Sequence, residues 1–184
     1  MKFSNLFKKI SNTPPQRAVY AQIVAKARQP WLYLSAGVPD TVTGRFDMIT
    51  LHSFFLLEHI SSNTKVEADF AQAVFDEIFL DMDHSLREMG VGDLSVGKKI
   101  RKMSEIFYGA CNGYRSAFEK TGKELDIALG EAFKRNVTGA EIAAEKLDRL
   151  VDYAQQEKAR TDMIPVKDIL SGQFDWPTLE PDRF

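Results

Sequence analysis

This sequence of 184 residues has one cysteine, no long apolar run and no long alternating strand pattern, and each of these features excludes some classes of protein. The single cysteine, Cys111, cannot form a disulfide within the chain, which indicates a reducing compartment. No stretch approaches the roughly 18 consecutive apolar residues of a membrane-spanning helix. The first ten residues, MKFSNLFKKI, lack the long apolar segment of a secretory signal. A net charge of -2 argues against a general nucleic-acid binder, so DNA is not an expected partner.

The apolar residues that are present recur at the spacing of helices. Four segments begin with the S/T-x-x-E/Q pattern, in which a hydroxyl and a side-chain carbonyl satisfy the first free backbone amides of a helix. They are Thr13 with Gln16, Thr64 with Glu67, Thr121 with Glu124, and Thr138 with Glu141. After the second start the apolar residues advance in steps of four and three, which only a helix brings onto one face. They are Val66, Phe70, Val74, Ile78, Met82, Leu86 and Met89.

A second apolar series and one fully apolar segment complete the pattern. After a glycine-rich break the series is Ile100, Met103, Phe107, Cys111, Tyr114 and Phe118. The segment RFDMITLHSFFLLEHI, residues 45–60, is apolar on nearly all sides and predicts a helix buried at the centre of the protein. The sequence therefore predicts an all-α, single-domain bundle of about six helices with an extended C-terminal tail.

The predicted bundle occupies residues 13–157. Residues 158–184 contain three prolines, which predict an extended tail with one short helix near 165–171. This tail either docks on the bundle through Phe174 and Trp176 or stays loose.

Residues 1–12 form a basic amphipathic segment. Four apolar residues fall at i, i+3, i+4 and i+7 with lysines beside them, which is the pattern of a short helix lying on a membrane surface. The candidate membrane contacts are Phe3, Leu6, Phe7, Ile10, Lys8 and Lys9. A frayed tail or a helix packed on its own domain explains the same residues equally well.

The stretch GDLSVGKK, residues 92–99, differs by one residue from the phosphate-binding pattern G-x-x-x-x-G-K-[ST]. A phosphate-binding loop follows a strand and has a hydroxyl beside its lysine, whereas here a predicted helix comes first and Lys99 replaces the hydroxyl. A connection between two helices fits better, with Gly90 ending one helix and Asp93 or Ser95 capping the next.

The charges on either side of this connection oppose the dipoles of the predicted helices. Bases crowd a helix start, where the macrodipole favours acids, and acids crowd a helix end, where it favours bases. The bases, called the basic turn below, are Lys98, Lys99, Arg101 and Lys102, and the acids are Asp81, Asp83 and Glu88. Either the two helix ends neutralise each other, or the basic turn faces a phosphate-bearing surface such as the ribosome or anionic lipid.

The three histidines raise the question of a metal site. Asp81 and His84 match half of a carboxylate-bridged di-iron motif, and His52 and His59 share a helix face. A di-iron site needs two copies of the motif and two further carboxylates, and only one partial copy is present. A metal-dependent helical enzyme using His52, Asp81 and His84 is therefore the alternative function.

Two segments resemble the ubiquinol-cytochrome c chaperone family. They are GVPDTVTGRFD, residues 37–47, and DMDHSLREMGVGD, residues 81–93, followed by VGKKIRKM and by FYG at 107–109. The resemblance covers roughly residues 15–150. It implies a non-catalytic helical protein without a cofactor that binds newly made cytochrome b and assists assembly of ubiquinol-cytochrome c reductase. The expected location is cytoplasmic, peripheral at the inner membrane of a bacterium, and the part played by a second assembly factor stays open.

The resemblance also implies roles for residues at matching positions. Pro39 fixes a turn, and Arg45 with Asp47 either locks this turn against the bundle or presents charge to the client protein. The expected partner contacts are Asp40, Arg45, Asp47, Asp83, Arg87, Lys98, Lys99, Arg101 and Lys102. The expected core residues are Phe46, Met82, Met89 and Phe107.

Overall fold

The chain folds into a bundle of helices, described here from a computed structural model for residues 13–60, 64–137 and 142–178. Helices are the only regular elements in these three ranges, so the all-α prediction is confirmed. The eight helices of the described ranges are α1 (Pro15–Ala27), α2 (Pro30–Leu34), α3 (Val42–Ile60), α4 (Lys65–Glu88), α5 (Asp93–Phe118), α6 (Lys123–Asn136), α7 (Ala144–Thr161) and α8 (Val166–Ser171). Helix α8 confirms the short helix predicted near 165–171, and α2 is the one helix that the sequence pattern did not predict.

Helix α3 lies at the centre of the bundle, as its uniformly apolar sequence predicted. Most of its 19 residues are buried, and it contacts α1, α4, α5, α7 and α8. The buried polar side chains of Thr50 and His52 bond inside the bundle; the Thr50 hydroxyl, for example, donates to the Phe46 carbonyl at 2.9 Å. Because the middle of α3 is covered, side chains of this helix reach the surface near its two ends, as Arg45 and Glu58 do.

The surrounding helices bury the predicted apolar stripes except at the two ends of α4. Phe46, Met82 and Phe107 are buried, as expected of core residues. Val66 and Met89 were wrongly assigned to the buried stripe, since they are 69% and 52% exposed. Val66 lies in the first turn of α4 and Met89 just after its last turn, where the neighbouring helices no longer cover the stripe.

The start of α4 has the predicted capping box. The Glu67 N–H donates to the Thr64 hydroxyl at 3.2 Å, and the Thr64 N–H donates to the Glu67 carboxylate at 2.9 Å. These two bonds satisfy backbone amides that have no partner inside the helix.

The same pattern predicted the caps of α1 and α6 wrongly. Pro14 stands at the N-cap of α1 instead of Thr13, and the two prolines that begin this helix set its backbone without a side-chain cap. Gly122 stands at the N-cap of α6 instead of Thr121, again without a side-chain cap. Thr138 and Glu141 lie outside the described residues, and α7 begins at Ala144.

The stretch GDLSVGKK lies almost wholly inside α5, which removes the basis for a nucleotide-binding loop. Gly90, with φ +84°, follows the end of α4 as predicted. The N-cap of α5 is Gly92 without a side-chain cap, so Asp93 and Ser95 were wrongly expected to cap it. The Ser95 and Val96 amides donate to the Gly92 carbonyl at 2.8 and 3.1 Å, and amides bonded within a helix cannot converge on phosphates.

The C-terminal tail docks on the bundle through a buried polar cluster. Lys26 Nζ of α1 donates to Glu157 Oε1 of α7 at 2.5 Å and to the Pro177 carbonyl at 2.7 Å. The Lys26 ammonium also lies 5.1 Å from the centre of the Trp176 ring, which is itself buried. Of the two sequence-based alternatives for the tail, docking is therefore correct.

Candidate partner-binding site

Side chains from the two sequence motifs meet around one groove beside the start of α3 and the end of α4. This groove, called the motif groove below, encloses about 310 Å³. Its apolar lining is Val42, Phe46, Ile49, Met82 and Met89, and its charged lining is Arg28, Arg45, Asp81 and Glu88. All of these residues except Arg28 and Ile49 belong to the two motifs. Segments far apart in the sequence thus build one surface that combines apolar groups with charges of both signs.

The turn before α3 is fixed by close packing of its backbone. The Pro39 carbonyl packs against Gly44, where an added Cβ atom would lie 2.1 Å from the carbonyl oxygen. The Gly44 N–H donates to the Thr41 hydroxyl at 3.1 Å, which is the usual bond of an N-cap threonine. Only glycine at position 44 permits this approach. The tight turn that it allows places Val42 at the rim of the motif groove.

Arg45 locks the turn through Asp40 rather than through Asp47. Its Nε donates to Asp40 Oδ1 at 2.6 Å, and this bond lowers the pKa of Asp40. Both side chains are more than half exposed, and the Arg45 guanidinium lies 6.0 Å from the centre of the Tyr33 ring. Asp47 is only 4% exposed. Asp40 and Arg45 therefore lie where a partner can reach them, whereas Asp47 belongs to the interior.

Arg87 joins the end of α4 to the start of α5. Its Nε donates to Asp83 Oδ2 at 2.6 Å, and its Nη1 donates to Asp93 across the connection. The bond from Arg87 lowers the pKa of Asp83. Ion pairs between exposed side chains are weak and exchange readily, so Asp83 and Arg87 keep their capacity to pair with charges on a partner.

Asp81 is oriented on the wall of the motif groove by α1. The Tyr20 hydroxyl donates to Asp81 Oδ2 at 2.6 Å. Burial of the Tyr20 hydroxyl, followed by its bond to Asp81, raises the pKa of this tyrosine, which therefore remains a donor at neutral pH. The carboxylate is thus a fixed acceptor between the apolar residues of the groove.

The basic turn occupies the second and third turns of α5 instead of the first. Arg101 Nε lies 3.3 Å from Glu105 Oε1, and Lys102 Nζ lies 3.7 Å from Glu105 Oε2. In the part of the chain that the structure describes, no ion pair within 4.0 Å involves Lys98 or Lys99. Neutralisation across the connection rests on the Arg87 and Asp93 pair, whereas the acid beside the basic turn in the described ranges is Glu105 of the same helix.

The residues of the alternative metal site, His52, Asp81 and His84, are not assembled into one. His52 Nδ1 lies 2.7 Å from the Met48 carbonyl and Nε2 lies 2.5 Å from the Tyr153 hydroxyl, so both ring nitrogens are engaged. Burial lowers the pKa of His52 to about 3. Within ranges 13–60, 64–137 and 142–178, no group of three His, Cys, Asp or Glu side chains could hold a metal ion. The geometry does not support the metal-enzyme alternative.

Sequence reasoning missed three residues of the motif groove. Two of them, Val42 and Ile49, lie at i and i+7 on the same helix face as Phe46 at i+4, a helical signal that was overlooked because α3 was taken to begin at residue 45. Arg28 lies after the end of α1, outside both motifs, and no sequence pattern connects it with them.

Comparison with known proteins identifies relatives of the whole fold. The family model described as ubiquinol-cytochrome C chaperone matches residues 34–176. A crystal structure of the Cbp3 homolog from Brucella abortus superposes with a TM-score of 0.80 at 32% sequence identity, covering 99% of each chain. In the described ranges, none of the helices combines the length and apolar character needed to cross a membrane.

Two vertebrate proteins are similar at lower identity. The ubiquinol-cytochrome-c reductase complex assembly factor 1 of Xenopus laevis is 23% identical over 167 residues, which are 89% of this chain and 82% of that protein. The protein of the same name from Mus musculus is 23% identical over 162 residues, and the match spans 88% of this chain but only 54% of the mouse protein.

Proposed function

The chain belongs to the ubiquinol-cytochrome C chaperone family, and from this premise we propose that it is a non-catalytic chaperone that binds newly made cytochrome b during assembly of ubiquinol-cytochrome c reductase. Relatives named as assembly factors for that complex support the role in assembly. We propose in addition that the client is cytochrome b and that the chain catalyses no reaction of its own.

The observation that carries the proposal is the convergence of both family-like motifs on the motif groove. An unassembled membrane protein exposes apolar segments with polar ends, and a chaperone needs a surface that covers both. Val42 and Met89 supply exposed apolar groups, while Asp81 and Glu88 supply acceptors beside them. The weak exposed pairs of Arg45 and Arg87 provide charges that a client can engage and release.

We further propose that the protein works at the cytoplasmic face of a bacterial inner membrane. The basic turn places four cations near one end of α5, where Arg101 and Lys102 share the single carboxylate of Glu105, and this excess of positive charge suits an anionic lipid or ribosomal surface near the site where the client emerges. The amphipathic segment of residues 1–12 would add a second contact, and it lies outside the described residues.

The test compares bacterial strains that lack the gene or carry it with single substitutions. Met89→Glu places a charge at the rim of the motif groove, and Leu94→Glu is its matched control because Leu94 is 95% exposed and does not line the groove. We expect loss of the haem b difference spectrum and of cytochrome b on immunoblots in the deletion strain and with Met89→Glu, and normal signals with Leu94→Glu.

Co-purification of cytochrome b with the tagged protein gives the direct readout. A deletion strain with normal cytochrome b would refute the assembly role. Retention of cytochrome b by Met89→Glu at wild-type strength would refute the motif groove as the binding surface while leaving the assembly role intact.

A further inference from the structure

A second groove lies on the other side of Val42 and Phe46, between α3, α4, α5 and the end of α6. This α5 groove encloses about 510 Å³, a size suited to one small molecule. Its apolar lining is Val42, Phe46, Leu86, Met103, Ile106 and Ala110. Ile106 is 41% exposed, so an apolar surface faces the opening.

One face of α5 supplies both the apolar lining and two cations. The lining residues of this helix, at i, i+3, i+4, i+7, i+10 and i+11, are Lys99, Lys102, Met103, Ile106, Gly109 and Ala110. This spacing places them in one line along the helix. Lys98 and Arg101 belong to the same basic turn but do not line the groove. The groove therefore divides the basic turn into two lysines that face it and two bases that do not.

The two ends of the α5 groove differ in charge. Lys99 and Lys102 stand at one end, and the carboxylate of Glu105 lies 3.7 Å from Lys102 Nζ. About 16 Å further along the helix, at 1.5 Å per residue, lie Gly109 and Ala110. The first end is therefore cationic.

The opposite end contains groups of both signs. A Cβ atom built on Gly113 would lie 3.6 Å from Asn136 Nδ2 and 3.7 Å from Arg135 Nη2, which places both α6 residues beyond Gly109. Asp47 also lines the groove, and burial, followed by the charge of Asp47, raises the pKa of Tyr114. An acid and a base are thus both present at this end, so a ligand with one anionic group would place that group at the lysine end.

We propose that the α5 groove binds one fatty acid of about a dozen carbons, with the carboxylate between Lys99 and Lys102 and the chain along Met103 and Ile106. With C–C bonds of about 1.5 Å at tetrahedral angles, an extended chain advances about 1.25 Å per bond, so roughly a dozen carbons span about 14 Å, close to the distance along α5 from the lysines to Ala110. A neutral apolar ligand would leave the lysines unused, and a basic segment such as residues 1–12 would be repelled by them. This binding goes beyond the proposed client role and does not depend on it.

The test titrates the purified full-length protein with lauric acid, a twelve-carbon fatty acid, by isothermal titration calorimetry, below the concentration at which the acid forms micelles. Lys99→Gln with Lys102→Gln should weaken binding about tenfold, because two charge-assisted bonds to the carboxylate are lost. Lys98→Gln with Arg101→Gln removes the same charge from the same helix and should leave the dissociation constant within about twofold.

A second pair of variants tests the groove without changing its charge. A Cβ atom on Gly109 or on Gly97 meets nothing within 4 Å, and both glycines lie inside α5, where a larger residue favours the helix. Gly109→Leu fills the groove and should abolish binding, whereas Gly97→Leu does not reach it and should bind normally. The methyl ester of the same acid should bind more weakly than the acid itself.

Three results would overturn the proposal. The first is a lack of saturable binding of the monomeric acid by the wild-type protein. The second is an equal loss of affinity in the Lys99→Gln with Lys102→Gln variant and in the Lys98→Gln with Arg101→Gln variant. The third is binding to vesicles of anionic phospholipid alone, which would assign the basic turn to a membrane surface instead of a ligand groove.

Discussion

Lys26 and Glu157 form a buried ion pair between residues 131 positions apart, with Nζ 2.5 Å from Oε1 and exposures of 3% and 0%. Burial lowers the pKa of Lys26 and raises the pKa of Glu157, so the fold works against both charges. The pair itself, the Pro177 carbonyl and the face of Trp176 compensate for the lost water. One ammonium group thus joins α1, α7 and the C-terminal tail.

Removing one member of this pair should destabilise the protein strongly. Lys26→Met leaves Glu157 buried without its cation, and the free energy of unfolding should fall by about 3–5 kcal/mol. Urea unfolding followed by circular dichroism measures the change. Lys134→Met, which breaks the exposed pair with Glu131, is the control and should have little effect. Equal effects of the two substitutions would contradict the compensation described for Lys26.

Acid should destabilise the protein through His52. Burial, and then the nearby Lys26 charge, lower the pKa of His52 to about 3 from an ordinary value of 6.5, so the unfolded chain binds the proton more tightly. The contribution to stability is present above pH 6.5 and is lost as pH falls toward 3, by an amount on the order of 4 kcal/mol. His52→Gln should flatten the curve of unfolding free energy against pH in this window. An unchanged slope would show that other groups carry the acid sensitivity.

The capping box of α4 should stabilise the protein more than Thr121 does, because Thr121 precedes α6 without capping it. Thr64→Ala removes a hydroxyl that accepts the Glu67 amide and should cost about 1 kcal/mol. Thr121→Ala should change stability by less than about 0.5 kcal/mol, because Gly122 occupies the N-cap position. Thermal and urea unfolding of the two variants provide the comparison, and similar losses would mean that Thr121 contributes a contact of its own.

Gly44→Ala should disturb the turn that carries the first motif. The added methyl group would meet the Pro39 carbonyl, so the backbone must shift at a cost of about 1–3 kcal/mol. Gly97→Ala is the control, since its methyl group meets nothing within 4 Å and should stabilise α5 by roughly 0.5–1 kcal/mol. Opposite signs in urea unfolding are the expected result, and a neutral Gly44→Ala would show that the turn is not tightly packed.

The Asp83 and Arg87 pair should contribute to client binding more than to stability. Asp83→Ala with Arg87→Ala should reduce co-purification of cytochrome b while leaving the urea midpoint nearly unchanged, because both groups are solvent-exposed. Glu145→Ala with Arg149→Ala removes an i,i+4 pair on α7 that does not line the motif groove and serves as the control. Full retention of cytochrome b by the first double variant would remove both residues from the proposed contact.

The interior of this fold was predictable from sequence because apolar periodicity reports burial directly. The uniformly apolar α3 and the stripe through Val74 and Ile78 are buried as their spacing indicated. Exposure at Val66 and Met89 was not predictable, because it depends on where neighbouring helices end rather than on the α4 sequence. The prediction of a cap at Thr13 was wrong for a local reason, since Pro14 occupies the N-cap and Pro15 the first helical position, and these prolines fix the backbone at the start of α1 without a side-chain cap.

The candidate site was predictable only as separate segments. Sequence spacing shows that Arg87 follows Asp83 by one helical turn, but it cannot show that Asp93 lies across the connection from both. Arg28 and Tyr20 reach the motif groove from α1 because of tertiary packing. Likewise, the division of the basic turn between Lys99 and Lys98 depends on how α5 is rotated against α3.

The bond between His52 and Tyr153 has a consequence for the order of folding. The two residues are 101 positions apart, and α3 also packs against α8. The face of α3 that packs on α7 and α8 is therefore synthesised well before its partners and stays uncovered until α7 has left the ribosome, whereas α1, α4 and α5 can cover the other faces earlier. During that interval the nascent chain itself exposes one face of a long apolar helix, and hydrogen exchange during refolding should show α3 fully protected no earlier than α7.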